Sequence, residues 1–105
     1  MHWYVYVAHF FGGVFFANSL PHLVAGTAGQ RLQTPFASPP FRGLSSPIVN
    51  VMWALINLVC AYFLLLRVGP LDLRHWPDAG ICFLGFAVWA FQCARAFGHL
   101  RKSVI

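Results

Sequence analysis

The chain has 105 residues, of which 59% are hydrophobic and only 9% charged. A soluble domain carries about 25% charged and about 45–50% apolar residues, and a chain this short has much surface to cover with polar groups. The composition excludes a soluble globular domain, a disordered chain and a disulfide scaffold, and it leaves an integral membrane protein.

A spanning helix takes about 20 residues, so three spans fit with room for loops. Four would leave too little for the Pro-rich stretch that follows the first. The first span is expected over 2–20. Its apolar run, Trp3–Ala17, gives only about 22 Å of helix, short of a core of about 30 Å. The helix must run on through Asn18 and Leu20. Pro21 then kinks or ends it, because proline has no amide hydrogen to donate. The start, Met1-His2-Trp3-Tyr4, lacks the basic residues of a signal peptide.

The loop over 26–47 contains Pro35, Pro39, Pro40 and Pro47. Prolines favour turns and polyproline-like pieces there, and Leu32, Phe36, Phe41 and Leu44 are anchors for an ordered surface loop at the membrane interface. The second span is expected over 48–68. Ser46 is its N-cap, Pro47 fits its first helical position, and Arg67 and Gly69-Pro70 close it. The third is expected over 79–98, with Asp78 as N-cap after Pro77. The fold class is therefore all-α: one membrane domain, 1–105, of three transmembrane helices with a long Pro-rich loop between the first two.

The formal net charge is +5. The basic residues sit at segment ends, where they suit anionic lipid and set topology, so no nucleic-acid partner is expected. Arg31, Arg42, Arg95, Arg101 and Lys102 fall on one side, against Arg67 and Arg74 on the other. The positive-inside rule then puts the long loop and the C-terminus in the cytoplasm and the N-terminus outside. Trp3, Tyr4, Tyr6 and Trp76 form an outer aromatic belt, and Trp53 lies near the inner end. Gly12-Gly13, and Ala90, Ala94 and Gly98, are the small residues expected at helix contacts.

Cys60, Cys82 and Cys93 fall at different depths and are expected as free, buried thiols. His9 lies about 10 Å below the outer face. It is expected to be a neutral, hydrogen-bonded imidazole with Asn57, Cys60 or a backbone carbonyl as partner. As a metal or haem ligand it lacks a second in-span histidine, so no metal is expected. No span contains an acidic residue on these boundaries, which argues against proton-coupled antiport.

Near the inner face, Asn18 and Arg95 lie at about 24 Å, Asn50 at about 27 Å and Gln92 at about 20 Å, with His22 just below. Intramembrane polar groups face protein or a water-filled cavity. Asn18, His22, Asn50, Gln92 and Arg95 are therefore the candidate site for a phospholipid or quinone head, with Arg95 supplying the charge. The competing reading is that Arg95 snorkels to the headgroups while the amides join helices. Asn50 and Asn57, about two turns apart on one face, are a candidate pore or helix-contact stripe.

The residues Asn18-Ser19-Leu20-Pro21-His22, Gly26, Pro35-Phe36, Ser38-Pro39, Gly43, Ser45-Ser46-Pro47, Asn50, Trp53 and Asn57 resemble small, uncharacterised bacterial membrane proteins with three spans. The resemblance implies a bacterial source and a multi-pass place in the inner membrane, and no activity. No nucleophile–base pair, carboxylate pair, phosphate loop or metal motif is present, so no enzyme is expected. Three functions follow in order. The first is a non-catalytic accessory or assembly subunit of a larger membrane complex, with lipid or quinone in the inner pocket. The second is a homo-oligomeric small-solute carrier or channel, and the third a haem- or quinone-associated redox helper. The partners are membrane lipids and either the complex or further copies of the chain. No cofactor is required beyond a bound phospholipid or quinone.

Overall fold

The computed structural model describes the backbone of residues 2–104 and the side chains of residues 2–100. Three long helices dominate it: α1 (Trp3–Thr27), α2 (Pro47–Tyr62) and α3 (Trp76–Val104). The stretches Trp3–Thr27, Pro47–Arg67 and Trp76–Leu100 are each long and apolar enough to cross a membrane. A two-residue antiparallel ribbon, β1 (Leu32–Gln33) with β2 (Leu44–Ser45), ties the base of the long loop, pairing Leu32 with Ser45 and Gln33 with Leu44.

α1 is the central helix. α2 runs antiparallel to it: Gly12 lies against Leu64 and Leu65 beyond the end of α2, and Gly26 against Pro47 and Val51 at its start. α3 runs parallel to it, with Phe10 and Gly13 against Cys82, Gly85 and Phe86, and Asn18 further along against Trp89. The buried face of α1 is Val5, Ala8, His9, Gly12, Gly13, Ala17, Ser19, His22, Ala25 and Gly26. These residues are mostly small, because two helices must approach one backbone. A Cβ on Gly13 would stand 2.1 Å from the Cys82 carbonyl oxygen, and one on Gly85 1.9 Å from that of Phe10. The α1–α3 contact is thus backbone on backbone at two glycines.

Several boundaries differ from the sequence reading. α1 does not end at Pro21 but continues to Thr27. The proline forfeits one hydrogen bond, yet His22, Ala25 and Gly26 beyond it are buried, and packing outweighs local propensity. α2 starts as expected, with Pro47 in its first turn and the Ser46 hydroxyl accepting from the Val49 amide at 3.2 Å. It ends in a wide π-helical turn over Phe63–Arg67, where the Val68 amide reaches back to the Phe63 carbonyl. α3 starts at Trp76, so Asp78 lies inside the helix and is not its N-cap. The His75 carbonyl accepts the amides of Asp78 and Ala79. A carboxylate therefore does lie within an apolar helix, against expectation. Ala90, Ala94 and Gly98 are exposed, and nothing would meet a Cβ on Gly98. The face of α3 turned to α1 carries Asp78, Cys82, Gly85, Trp89 and Cys93, at helical steps of three and four.

The long loop is ordered by polar contacts. The Thr34 carbonyl accepts from the amides of Ala37 and Phe41, and the Thr34 and Ser45 hydroxyls share a hydrogen bond. The Ser38–Pro39 peptide is cis, and Phe41 sits at φ 64. Phe36 packs edge-on against Trp53 of α2, with ring centroids 5.4 Å apart.

Candidate functional site

α2 and α3 both flank α1 but do not pack on each other along their length. The gap between them, floored by α1 and roofed by the loop, is a cavity of about 550 Å³. Its walls are aromatic and aliphatic: Phe11, Val14 and Phe15 from α1, Trp53 from α2, Trp89, Phe97 and Leu100 from α3, and Pro35 and Phe41 from the loop. The polar groups that line it are Asn18, His22, Gln33, Asn57, Gln92 and Cys93.

These groups are oriented by an internal network. Indole nitrogen can only donate, so the Trp89 Nε1–H, 2.9 Å from Asn18 Oδ1, fixes the Asn18 amide with its oxygen toward α3. Its nitrogen then donates to Asn57 Oδ1 at 3.0 Å, and Asn57 Nδ2 donates to the Trp53 carbonyl at 2.8 Å. The run Trp89→Asn18→Asn57→Trp53 crosses all three helices with every donor pointing one way. Asn50 anchors a second network. Its Nδ2 hydrogens are spread over the carbonyl oxygens of Leu32, Ser45 and Ser46 at 3.1–3.2 Å. One α2 side chain thereby holds both strands of the ribbon. Its Oδ1 faces His22 Nδ1 at 2.8 Å. The His22 ring stands edge-on to Trp53 and Phe97, with centroids 6.4 and 5.7 Å away.

The expected site residues divide as follows. Asn18, His22 and Gln92 line the cavity, and Asn50 supports it from behind through His22. Arg95 does not line it. Its exposed side chain lies on an adjacent shallow groove with Gln92, Ala96 and His99. The reason is helical phase, since Trp89, Cys93 and Phe97 occupy the inward face of α3 and Arg95 falls beside it. Asn50 and Asn57 are 0% and 1% exposed and bonded to His22 and Asn18 of α1, so of the two expected roles they fill the helix contact and present no stripe to a pore. Gln33 and Trp89 were not among the expected site residues. Trp89 carried a readable signal: an indole in mid-span, away from either aromatic belt, needs an acceptor at its own depth.

A second polar cluster lies toward the other end of the bundle. His9 and Asp78 are both 0% exposed and form a buried pair through Nδ1 and Oδ1. His9 Nε2 lies 2.5 Å from the Gly69 carbonyl oxygen, which can only accept, so Nε2 carries a hydrogen. The carboxylate is thus buried against a hydrogen-bonding partner rather than against apolar side chains alone. Asp78 Oδ2 accepts the Asp72 amide at 2.9 Å, which fastens the short loop to the same point. The backbone carbonyl was an expected partner of His9; Asp78 was not. Both ring nitrogens are engaged, so metal ligation would require breaking one contact. Among the described residues no group of three or more His, Cys, Asp or Glu is placed to hold a metal ion. Cys60, Cys82 and Cys93 are free and partly buried.

No family model, curated protein or solved structure matches the chain.

Proposed function

We propose that the chain is an integral membrane protein that holds a lipid or quinone-like amphiphile in the cavity between α2 and α3. In this reading it serves a larger membrane complex as a non-catalytic accessory or assembly subunit. The carrying observation is the cavity itself, a gap between two helices with aromatic walls and a few polar groups fixed in orientation. Small-molecule sites have this composition. Among the described residues no Asp, Glu, Lys or Arg lines the cavity, which suits a neutral head and an apolar tail better than a phosphate. Trp53 and Trp89 on the walls and Phe15 on the floor offer flat surfaces to a ring or chain.

Large apolar side chains such as Leu55, Val59, Phe63, Phe83, Leu84 and Phe91 face outward, as in a chain surrounded by acyl tails or partner helices. The excess of arginine and lysine at the long-loop end supports a cytoplasmic side for that end and an outer side for the N-terminus. The likeness of the Asn18–Asn57 segment to small bacterial membrane proteins is what favours a bacterial inner membrane in this reading. A compartment reporter fused at the C-terminus is expected to read cytoplasmic; a periplasmic signal would reverse the orientation.

Native mass spectrometry after mild detergent extraction tests the binding role. Wild-type protein should retain a stoichiometric amphiphile. Ala96 of α3 lines the cavity as well as the adjacent groove, and Ala96→Phe, which fills the cavity, should lose the amphiphile while remaining folded. Wild-type protein that sheds all lipid as readily as the variant would remove this reading. Co-purification with a large complex would support the accessory role, and a stable homo-oligomer would count against it.

A further inference from the structure

The hydrogen-bond network fixes the polarity of the cavity, and so the chemical class of its occupant. Asn50 Nδ2 faces three carbonyl oxygens, which can only accept, so the amide nitrogen is the donor and Oδ1 the acceptor. His22 Nδ1, 2.8 Å from Oδ1, must then carry the hydrogen. In a neutral imidazole that leaves Nε2 with a lone pair. His22 is 2% exposed. Among the described residues, no side-chain nitrogen or oxygen is both sealed and without a partner. Nε2 makes no hydrogen bond to any described residue, so it opens on the cavity that His22 lines. One turn back along α1, Asn18 Nδ2 gives one hydrogen to Asn57 and has a second left for the cavity. Gln33, 6% exposed and also lining the cavity, can turn either end of its amide inward and does not set the polarity.

We propose that the cavity selects a hydroxyl-headed amphiphile, an alcohol or a phenol carrying an apolar tail. Its O–H donates to His22 Nε2, and its oxygen accepts from Asn18 Nδ2. A hydroxyl is the small group that both donates and accepts at one atom, and the two side chains, four residues apart on one helix face, present one acceptor and one donor. A ketone, an ether or a fully ionised phosphate has no hydrogen for Nε2 and would leave a desolvated lone pair facing another. The assignment rests on the cavity being an amphiphile site and narrows its occupant: of a quinone-like pair, only the reduced quinol, which carries hydroxyls, fits.

The test uses purified protein in nanodiscs, with Trp53 and Trp89 fluorescence reporting occupancy. The probes are 4-dodecylphenol, its methyl ether, dodecanol and dodecyl phosphate. The phenol and the alcohol should bind about tenfold or more tighter than the methyl ether and the phosphate. In His22→Phe the gap between phenol and ether should close. If that variant fails to fold, ¹⁵N NMR of wild-type imidazole serves instead: phenol should shift Nε2 while Nδ1 stays protonated. Equal affinity for phenol and ether would overturn the selectivity and leave the cavity as an unselective amphiphile site. Tightest binding of dodecyl phosphate would overturn it in favour of an anion site. Failure of all four probes to bind would remove the amphiphile site itself.

Discussion

Asp78→Ala should lower stability in detergent by about 3–5 kcal/mol, the usual cost of removing one member of a buried pair. The substitution leaves His9 Nδ1 facing an apolar wall and the Asp72 amide without its acceptor. The contact joins α1 to the start of α3, and the Gly69 carbonyl joins the same imidazole to the chain leaving α2, so the loss should loosen both helices at that end. His9→Ala should cost a similar amount. The double substitution should cost clearly less than the sum, because residues in one network are not additive. Chemical denaturation monitored by tryptophan fluorescence gives all three numbers. Additive effects would mean that the two side chains do not act as a pair.

Gly85→Ala and Gly13→Ala should each destabilise the bundle by at least the about 1–3 kcal/mol typical of overpacking. The added methyl would stand 1.9 or 2.1 Å from a backbone carbonyl oxygen of the facing helix, and a backbone cannot turn aside as a side-chain end can. The helices would have to separate, which also pulls Trp89 away from Asn18 and opens the cavity. Gly98→Ala should be neutral, since nothing lies within 4 Å of its added carbon. The contrast between Gly85 and Gly98 on the same helix is the informative comparison. Equal effects would place the α1–α3 contact on a different face.

The number of helices and the cap of α2 were legible because they rest on local facts: apolar run length, and Ser46 followed by Pro47. The reach of α1 past Pro21 was not, because what holds it is the burial of His22, Ala25 and Gly26, a tertiary fact. Depth counting brought Asn18, His22, Asn50 and Gln92 to one level, since helical rise is constant. It could not give rotation about the helix axis, so Arg95 was placed with residues that it stands beside. The pairing of His9 with Asp78 escaped for a related reason. Asp78 looked like a helix cap, a role any exposed aspartate can fill, and only the parallel packing of α3 on α1 turns it inward. The long loop read as a surface segment anchored by apolar residues; Asn50, a polar group from a helix, holds its base.

The most direct measurement is a crystal structure grown from a lipid phase, with the occupant of the cavity visible. An elongated molecule should lie between α2 and α3, its polar end within about 3 Å of His22 Nε2 and Asn18 Nδ2 and its tail along Phe15 and Trp89. A structure in which α3 closes onto α2 and leaves no space between them, or in which a helix of a second copy fills the gap, would contradict the proposed site.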